Sequence, residues 1–384
     1  MKGLPRNVWL ICIAATLVNG SVFLWDPFLP KHLESLGASI LVIGTLFTLL
    51  ELIGAFSHGI GGLWGDLFGR KNVFLICTIS YLFAYLFLSL APALFLAITL
   101  LLFLSIFRGA SVTVVHTLIV DSSEEKRASG IAIHELLINL AAISFPLIGG
   151  YLVQEFGSLI GLRYCFFLTL ILVLIGFAIS LFLEETLGRM GNLLSEIKKI
   201  FSLLKEVPLS IAFLLAAYST WHLAASIASP YYIFYALDRI GIQPFQYGAF
   251  MSIIAIFGSI AMIPGGGLSD RVGRKKFLIA RYLIWIGFPL AFILARNFLH
   301  LILVAAIAGL SAIGRPSLTA FVADKVSLEK RSRVIGFLDM FADFFSIPGP
   351  AIGGLLYLTN STFPFLAASL FGSVALLFIL KIRE

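Results

Sequence analysis

Charge is scarce in this chain. Of 384 residues only 12% are Asp, Glu, Lys or Arg, 60% are apolar, and the mean hydropathy is +1.03. A soluble domain carries about 25% charged and roughly 45–50% apolar residues, so the composition excludes one, and it excludes disorder on the same ground. Cysteine is nearly missing: Cys12, Cys77 and Cys165 lie in separate apolar stretches, with neither a disulfide pattern nor metal-ligand spacing. His-Glu-x-x-His, Gly-x-Ser-x-Gly and Gly-x-x-x-x-Gly-Lys are absent. The sequence therefore predicts no enzyme, no cofactor, no metal and no nucleotide-driven pump. The net charge of +7 is read as loop charge facing an anionic leaflet, with no nucleic-acid partner.

What is abundant is apolar length. Asn72 to Phe107 holds 36 residues without a charged side chain, with Ala91-Pro92 at its centre, which reads as two spans and a tight turn. Runs such as Leu168–Phe182 are apolar on every face, which excludes the period-two alternation of barrel strands and leaves helices, whose backbone groups are satisfied within the segment. The first apolar run, Asn7 to Trp25, is too long for a signal-peptide core and reads as a first span. An all-α integral membrane fold of twelve helices is predicted, at about 7–29, 38–61, 73–91, 93–121, 128–153, 160–183, 209–236, 242–265, 276–295, 298–322, 332–357 and 363–381.

Of the 27 Lys and Arg, twenty-one fall on the side of the termini and the even-to-odd loops. Lys31, Arg163, Arg239 and Arg296 fall on the other side, and Arg108 and Arg315 within spans. The positive-inside rule then puts both termini in the cytoplasm. Between the halves, residues 184–208 form a linker in which Leu193, Ile197, Ile200, Phe201 and Leu204 recur at helical spacing among Lys198, Lys199 and Lys205. This predicts a short amphipathic helix on the inner membrane face, separating an N-terminal bundle (1–183) from a C-terminal one (209–384).

An offset of 204 residues maps one half onto the other without a gap over many landmarks. Gly37 meets Gly241, Gly44 meets Gly248 and Gly54 meets Gly258. Asp66-x-x-Gly69-Arg70-Lys71 meets Asp270-x-x-Gly273-Arg274-Lys275, Glu125-Lys126-Arg127 meets Glu329-Lys330-Arg331, and Pro146-x-x-Gly149-Gly150 meets Pro350-x-x-Gly353-Gly354. Two parallel six-helix bundles follow, with a site expected at their interface.

Gly62-Leu-Trp-Gly-Asp-Leu-Phe-Gly-Arg-Lys71 resembles the signature of the major facilitator superfamily between helices 2 and 3. Gly266-Gly-Leu-Ser-Asp-Arg-Val-Gly-Arg-Lys275 is a cleaner copy between helices 8 and 9. The first copy departs from the family pattern, with Trp64 for the usual Leu and Leu67 for the usual Arg. The resemblance implies a gate at the cytoplasmic side, to which Gly62, Asp66, Arg70, Lys71, Arg127, Gly266, Asp270, Arg271, Arg274 and Arg331 are assigned. Gly62 and Gly266 are expected to permit close helix approach, and Asp66 to pair with Arg or accept backbone donors.

An ionisable group at bilayer depth costs roughly 2.5–3.5 kcal/mol on insertion scales and marks a functional site by default. The embedded acids and arginines are Asp26, Glu51, Arg108, Glu135, Arg315, Asp339 and Asp343, and His58, His116, His134 and His222 join them. None falls in helices 3, 6, 9 or 12, which the resemblance places against lipid. Glu135 maps to Asp339 and Asn139 to Asp343, each pair spaced i, i+4 on one helix face. Arg108 is expected to face Glu135 or Asp26, and Arg315 to face Asp339 or Asp343. His32 and His300 are read as surface residues. Trp25, Trp221, Tyr231, Tyr232 and Tyr235 are either substrate-stacking or interfacial side chains.

Arg108-Gly109 is similar to the family's proton-transfer motif, and Pro27–Gly37 to the outer end of helix 1 in the drug:proton antiporter branch. Helix 5 departs from that branch: Pro146, Gly149 and Gly150 are kept, but Ala141 and Phe145 fill glycine places. The expected function is secondary active transport by alternating access in the plasma membrane. The expected substrate is a small amphipathic or drug-like molecule, exported by a monomer in exchange for protons at Asp26, Glu51, Arg108, Glu135, His222, Arg315, Asp339 and Asp343. The alternative is uptake of a small organic anion held by Arg108 and Arg315.

Overall fold

The computed structural model describes residues 4–123, 126–186, 208–326 and 328–382. The amphipathic helix expected in the linker lies outside the described residues. Among the described residues all regular structure is helical. Eleven helices are long and apolar enough to cross a membrane. One of them, Arg127–Ser180, runs for 54 residues with Gly157 at φ 75, ψ 165 inside it. At 1.5 Å per residue that is about 80 Å, more than twice the hydrocarbon thickness, and Gly157 divides it into two spans. Twelve spans result, as the sequence predicts.

The spans are α1 (Arg6–Ser35), α2 (Ile40–Phe68), α3 (Arg70–Leu90), α4 (Leu94–Ser122), α5 (127–156), α6 (158–180), α7 (Leu209–Ile240), α8 (Pro244–Val272), α9 (Arg274–Leu294), α10 (Phe298–Lys325), α11 (Leu328–Ser346 and Gly349–Thr359) and α12 (Phe363–Lys381). Several are interrupted where proline removes a donor and crowds the preceding turn. α1 passes through 3-10 turns at Gly20–Leu24 and Asp26–Phe28, beside Pro27 and Pro30. α7 does so at Ser229–Tyr231, beside Pro230, and ends in a π-helical segment, Tyr235–Ile240. α10 tightens at Ser311–Gly314, before Pro316. α11 breaks at Pro348.

The signature segments differ from the expected loops. Gly62–Phe68 forms the last turns of α2, and the 266–272 segment the last turns of α8. Each turn is made by a single glycine, Gly69 at φ 88 and Gly273 at φ 106. The pair Gly37 and Gly241 likewise shares positive φ, at 94 and 79. The repeat thus extends to backbone conformations that an L side chain enters only at a cost of about 1–2 kcal/mol.

The chain forms two compact units. One comprises Met1–Ala38, Leu49–Gly191 and Pro244–Ala249; the other comprises Ser39–Thr48, Asn192–Gln243 and Phe250–Glu384. In the first, α1 packs on α5 and α6, and α3 packs on α4. Trp25, only 4% exposed, is enclosed by Tyr85 and Phe166. In the second, α7 packs on α11 and α12, and α9 packs on α12. Its core joins Ile211, Leu214, Ala217, Leu278, Tyr282 and Phe321, and Tyr218 and Trp221 of α7 sit against it.

Gly69→Ala and Gly273→Ala each lower the apparent Tm of detergent-purified protein, by about 1–2 kcal/mol of strain. Gly62→Ala, whose Cβ meets nothing within 4 Å inside a helix, does not lower Tm. Differential scanning fluorimetry of the three variants checks this.

Candidate functional site

The polar side chains of the second unit converge on α7. Tyr218 donates its hydroxyl proton to Asp339 Oδ1 at 3.0 Å. One turn further along α7, His222 Nδ1 lies 3.8 Å from Asp343 Oδ1. The i, i+4 spacing on α11 meets the i, i+4 spacing on α7, so two carboxylates face two partners in register. The Tyr218 and His222 rings are 4.5 Å apart, and Trp221 contacts His222 edge-on at 4.9 Å and Trp285 of α9 at 5.4 Å. His222 Nε2 and Trp285 Nε1 are buried without a hydrogen-bond partner among the described residues.

Arg281 of α9 completes this cluster. Its guanidinium lies over the Trp221 ring, 5.0 Å from the centroid, and donates to the Ser311 carbonyl at 3.5 Å. By sequence Arg281 reads as a loop cation and α9 as free of embedded charge, because Arg281 follows the basic run Arg274-Lys275-Lys276; in the structure it stands two turns inside the helix. The 3-10 turn at Ser311–Gly314 presents the carbonyl it uses. Arg315 is exposed and forms no ion pair with Asp339 or Asp343, contrary to expectation. It is close enough to act electrostatically on Asp339 and on Arg281.

In the first unit the expected charges are more dispersed. Arg108 Nη1 is 3.7 Å from Asp26 Oδ1, and of the two partners expected for it Asp26 is the one present. Glu135 is half-buried and has no ion pair or hydrogen bond among the described residues, and Glu51 is half-buried on α2. Ser111 donates to Asn19 Oδ1 at 3.0 Å, and His58 Nδ1 stands 3.4 Å from Thr113 Oγ1. The His116 and His134 rings meet edge to face at 5.7 Å. His32 is 1% exposed and not a surface residue, because Nδ1 meets the Ser158 carbonyl at 3.1 Å and its ring packs on Phe166. His300 is exposed, as expected. Among the other aromatics, Tyr231 and Tyr235 spend their hydroxyls on the Pro350 and Ile293 carbonyls, and Tyr232 packs on Phe288, Phe292 and Phe365.

At the signature end, each unit builds the same clasp. Arg70 pairs with Asp121 and lies 3.9 Å from Asp66. Arg274 pairs with Asp324, donates to the Ala320 carbonyl, and lies 3.3 Å from Asp270. Asp121 and Asp324 escaped the sequence reading, although each is the acid at the end of the fourth helix of its half. Lys71 Nζ donates to the Leu181 carbonyl at 2.9 Å, and Lys275 Nζ to those of Leu380 and Ile382 at 2.9 and 2.7 Å. The final lysine of each signature thus closes the carboxyl end of the sixth helix of its half. Glu185 accepts the backbone N–H groups of Lys71 and Asn72 at 3.1 and 3.4 Å, at the positive end of α3. Arg127 and Arg271 are exposed, and Arg331 Nε donates to the Val326 carbonyl at 3.1 Å.

The glycines expected to bring helices together are not the ones that do so. A Cβ on Gly62 meets nothing within 4 Å, and one on Gly266 only Pro316 at 4.0 Å. Their predecessors make the contact: a Cβ on Gly61 would meet the Ala110 carbonyl oxygen at 2.8 Å, and one on Gly265 the Ile313 Cα at 3.2 Å. The contact face is shifted by one residue, about 100° around the helix.

Asp121→Asn destabilises the protein by about 1–2 kcal/mol, since it leaves the mostly buried Arg70 guanidinium with a weaker acceptor. The coupling of Arg70 with Asp121 in a double-mutant cycle exceeds that of Arg274 with Asp270, whose side chain is 62% exposed. Thermal unfolding of the six variants of the two cycles, beside wild type, checks both statements.

The family model of the Major Facilitator Superfamily matches residues 11–268 and again 209–384. A Multidrug resistance protein MdtG from Enterobacter lignolyticus is 25% identical and covers 97% of this chain and 90% of its own. Multidrug resistance protein 2 of Bacillus subtilis is 24% identical, over 89% of this chain and 86% of its own. Among solved structures, the nucleoside transporter NupG (D323A mutant) superposes with a TM-score of 0.80 at 16% identity, over 99% of this chain and 100% of that one. The human organic anion transporter MFSD10 gives 0.70 at 18% identity, over 98% and 100%. At such identities the solved structures speak for the fold alone. The family match, which spans the chain, speaks for more. Together with twelve spans and a doubled signature, it makes this chain a member of the Major Facilitator Superfamily, a multi-pass membrane transporter of a small molecule and not an enzyme.

Proposed function

We propose that the protein exports small amphipathic cations or neutral drug-like molecules in exchange for protons, and that the exchange centres on Asp339 and Asp343. The observation that carries this reading is the set of partners around those two carboxylates. Each is held by a side chain of α7 that can itself give or take a proton, Tyr218 and His222. Trp221 and Trp285 line the same place with aromatic surface, which suits a lipophilic cation. A carboxylate that releases its proton gains the charge that holds such a cation, so one group can serve both ligands in turn.

The repeat supports the assignment by contrast. Under the offset of 204, Tyr218, Trp221, His222 and Arg281 correspond to Ala14, Leu17, Val18 and Cys77. The first unit fills those positions with packing residues, and Ala14, Val18 and Cys77 are buried. The fold therefore does not need polar groups there. Their presence in the second unit is an insertion cost of several kcal/mol that a transport role offsets. Asp26, Arg108, Glu51 and Glu135 form the complementary polar lining of the first unit, and the signature clasps serve as the gate. Two relatives that cover most of the chain carry the name multidrug resistance protein, in keeping with efflux. The Lys and Arg distribution puts both termini in the cytoplasm of a cell-membrane protein acting as a monomer.

The test is transport in proteoliposomes under an imposed pH gradient, with ethidium as the cationic dye and p-aminohippurate as the organic anion. Dye movement follows the gradient and stops when nigericin collapses it. Asp343→Asn reduces the rate at least tenfold, and Asp339→Asn does likewise, while Glu34→Gln at the exposed outer end of α1 leaves it unchanged. Anion uptake lost on Arg108→Lys and Arg315→Lys, with no dye movement under any gradient, would overturn the export reading in favour of anion uptake.

A further inference from the structure

The guanidinium of Arg281 occupies ground that a transported cation needs. It lies over the face of Trp221, the aromatic ring at the centre of the cluster, and among the described residues its one hydrogen bond is to the Ser311 carbonyl at 3.5 Å. Among the described residues no carboxylate lies within ion-pair distance of it. An arginine side chain keeps its charge at any accessible pH, so this charge is permanent, unlike those of His222, Asp339 and Asp343. The position has no structural need for a cation: its counterpart under the repeat is the buried Cys77. Arg281 instead leans on the aromatic quadrupole and one carbonyl, an arrangement that leaves its charge uncompensated by any direct partner.

The charges around Trp221 can be counted. Asp339 and Asp343 supply two negative charges when both are ionised. Arg281 supplies one permanent positive charge, and Arg315, within electrostatic reach of Asp339 and Arg281, supplies another. His222 and Tyr218 face the carboxylates from α7 and are neutral when unprotonated and protonated, respectively. With both acids ionised the set around Trp221 is balanced: a single charge can sit directly against a carboxylate, but a second charge on the same ligand finds no further uncompensated acid.

We infer that Arg281 is a specificity-determining residue, a tethered cation on Trp221 that limits the site to neutral and singly charged amphipathic molecules and rejects dications. This rests on the proposed role of Asp339 and Asp343 as the cation site. The mechanism is electrostatic and additive. At an effective dielectric of about 20, a unit charge roughly 10 Å away changes affinity on the order of tenfold, and acts twice on a ligand carrying two charges. Loss of Arg281 also bares the Trp221 face for the ligand.

The experiment measures binding of tetraphenylphosphonium, with one charge, and dequalinium, with two, by quenching of intrinsic tryptophan fluorescence in the purified full-length protein. Wild type binds tetraphenylphosphonium and binds dequalinium at least tenfold more weakly. Arg281→Gln gains about tenfold for the first and by a larger factor for the second, so the preference narrows or closes. Arg281→Lys, which restores the charge, keeps the wild-type ratio. If Arg281→Gln fails to fold, Arg281→Met, which keeps an unbranched stem, reads the same ratio. An equal change for both ligands, or an Arg281→Lys ratio matching that of Arg281→Gln, overturns the inference and leaves the cation site standing. Tetraphenylphosphonium binding that Asp339→Asn and Asp343→Asn do not weaken, or that wild type lacks, overturns the cation site and this inference together.

Discussion

Everything in the second unit's polar cluster depends on carrying two carboxylates inside a membrane span, Asp339 exposed and Asp343 half-buried, without neutralising them by a permanent ion pair. A lone ionised carboxylate in hydrocarbon is costly, and a carboxylate locked to an arginine is inert to protons and ligands alike. Asp339 and Asp343 take a middle course. Each has one partner on α7, a phenol hydroxyl at 3.0 Å and an imidazole nitrogen at 3.8 Å, and neither partner carries a fixed charge. The permanent cations, Arg281 and Arg315, stand near but do not pair directly. Such a site can change its charge state without losing its architecture.

The frame around it is symmetric where mechanics require symmetry and asymmetric where chemistry does. Positive-φ glycines recur at Gly37 and Gly241 and at Gly69 and Gly273. Arg70 and Arg274 each bind a signature aspartate and a second aspartate at the end of the fourth helix of their half. Lys71 and Lys275 each close the sixth helix of their half. These features tie a bundle together at one end. At the level of Tyr218 and Arg281 the correspondence ends, and Ala14 and Cys77 stand in the other half. A duplicated scaffold has kept its joints in both copies and the cluster of Tyr218, Trp221, His222 and Arg281 in one.

Much of this was legible in the sequence, because lipid as solvent imposes a simple rule on spans and because the repeat gives each landmark a second reading. The twelve spans, the doubled signature and the acidic pair on α11 follow from apolar length and register. Four features were not legible, each for a physical reason. Arg281 follows three basic residues, and a charge run does not reveal where a helix enters the bilayer. Gly61 and Gly265, not Gly62 and Gly266, face the neighbouring helix, because a phase error of one residue turns a helix by about 100°. Asp121 and Asp324 lie beside basic loops, where an acid reads as a solvated charge until its arginine is placed. The pairing of His222 with Asp343 joins residues 121 positions apart, beyond any local pattern.

The central claim is that one set of carboxylates is shared between a proton and a cation. The most direct test is proton release on binding, followed with a pH indicator in weakly buffered detergent solution as tetraphenylphosphonium is added. The account predicts that wild type releases protons in proportion to the cation bound, and that the Asp339→Asn, Asp343→Asn double variant releases none. Cation binding with no proton release, or equal release from the double variant, would contradict it.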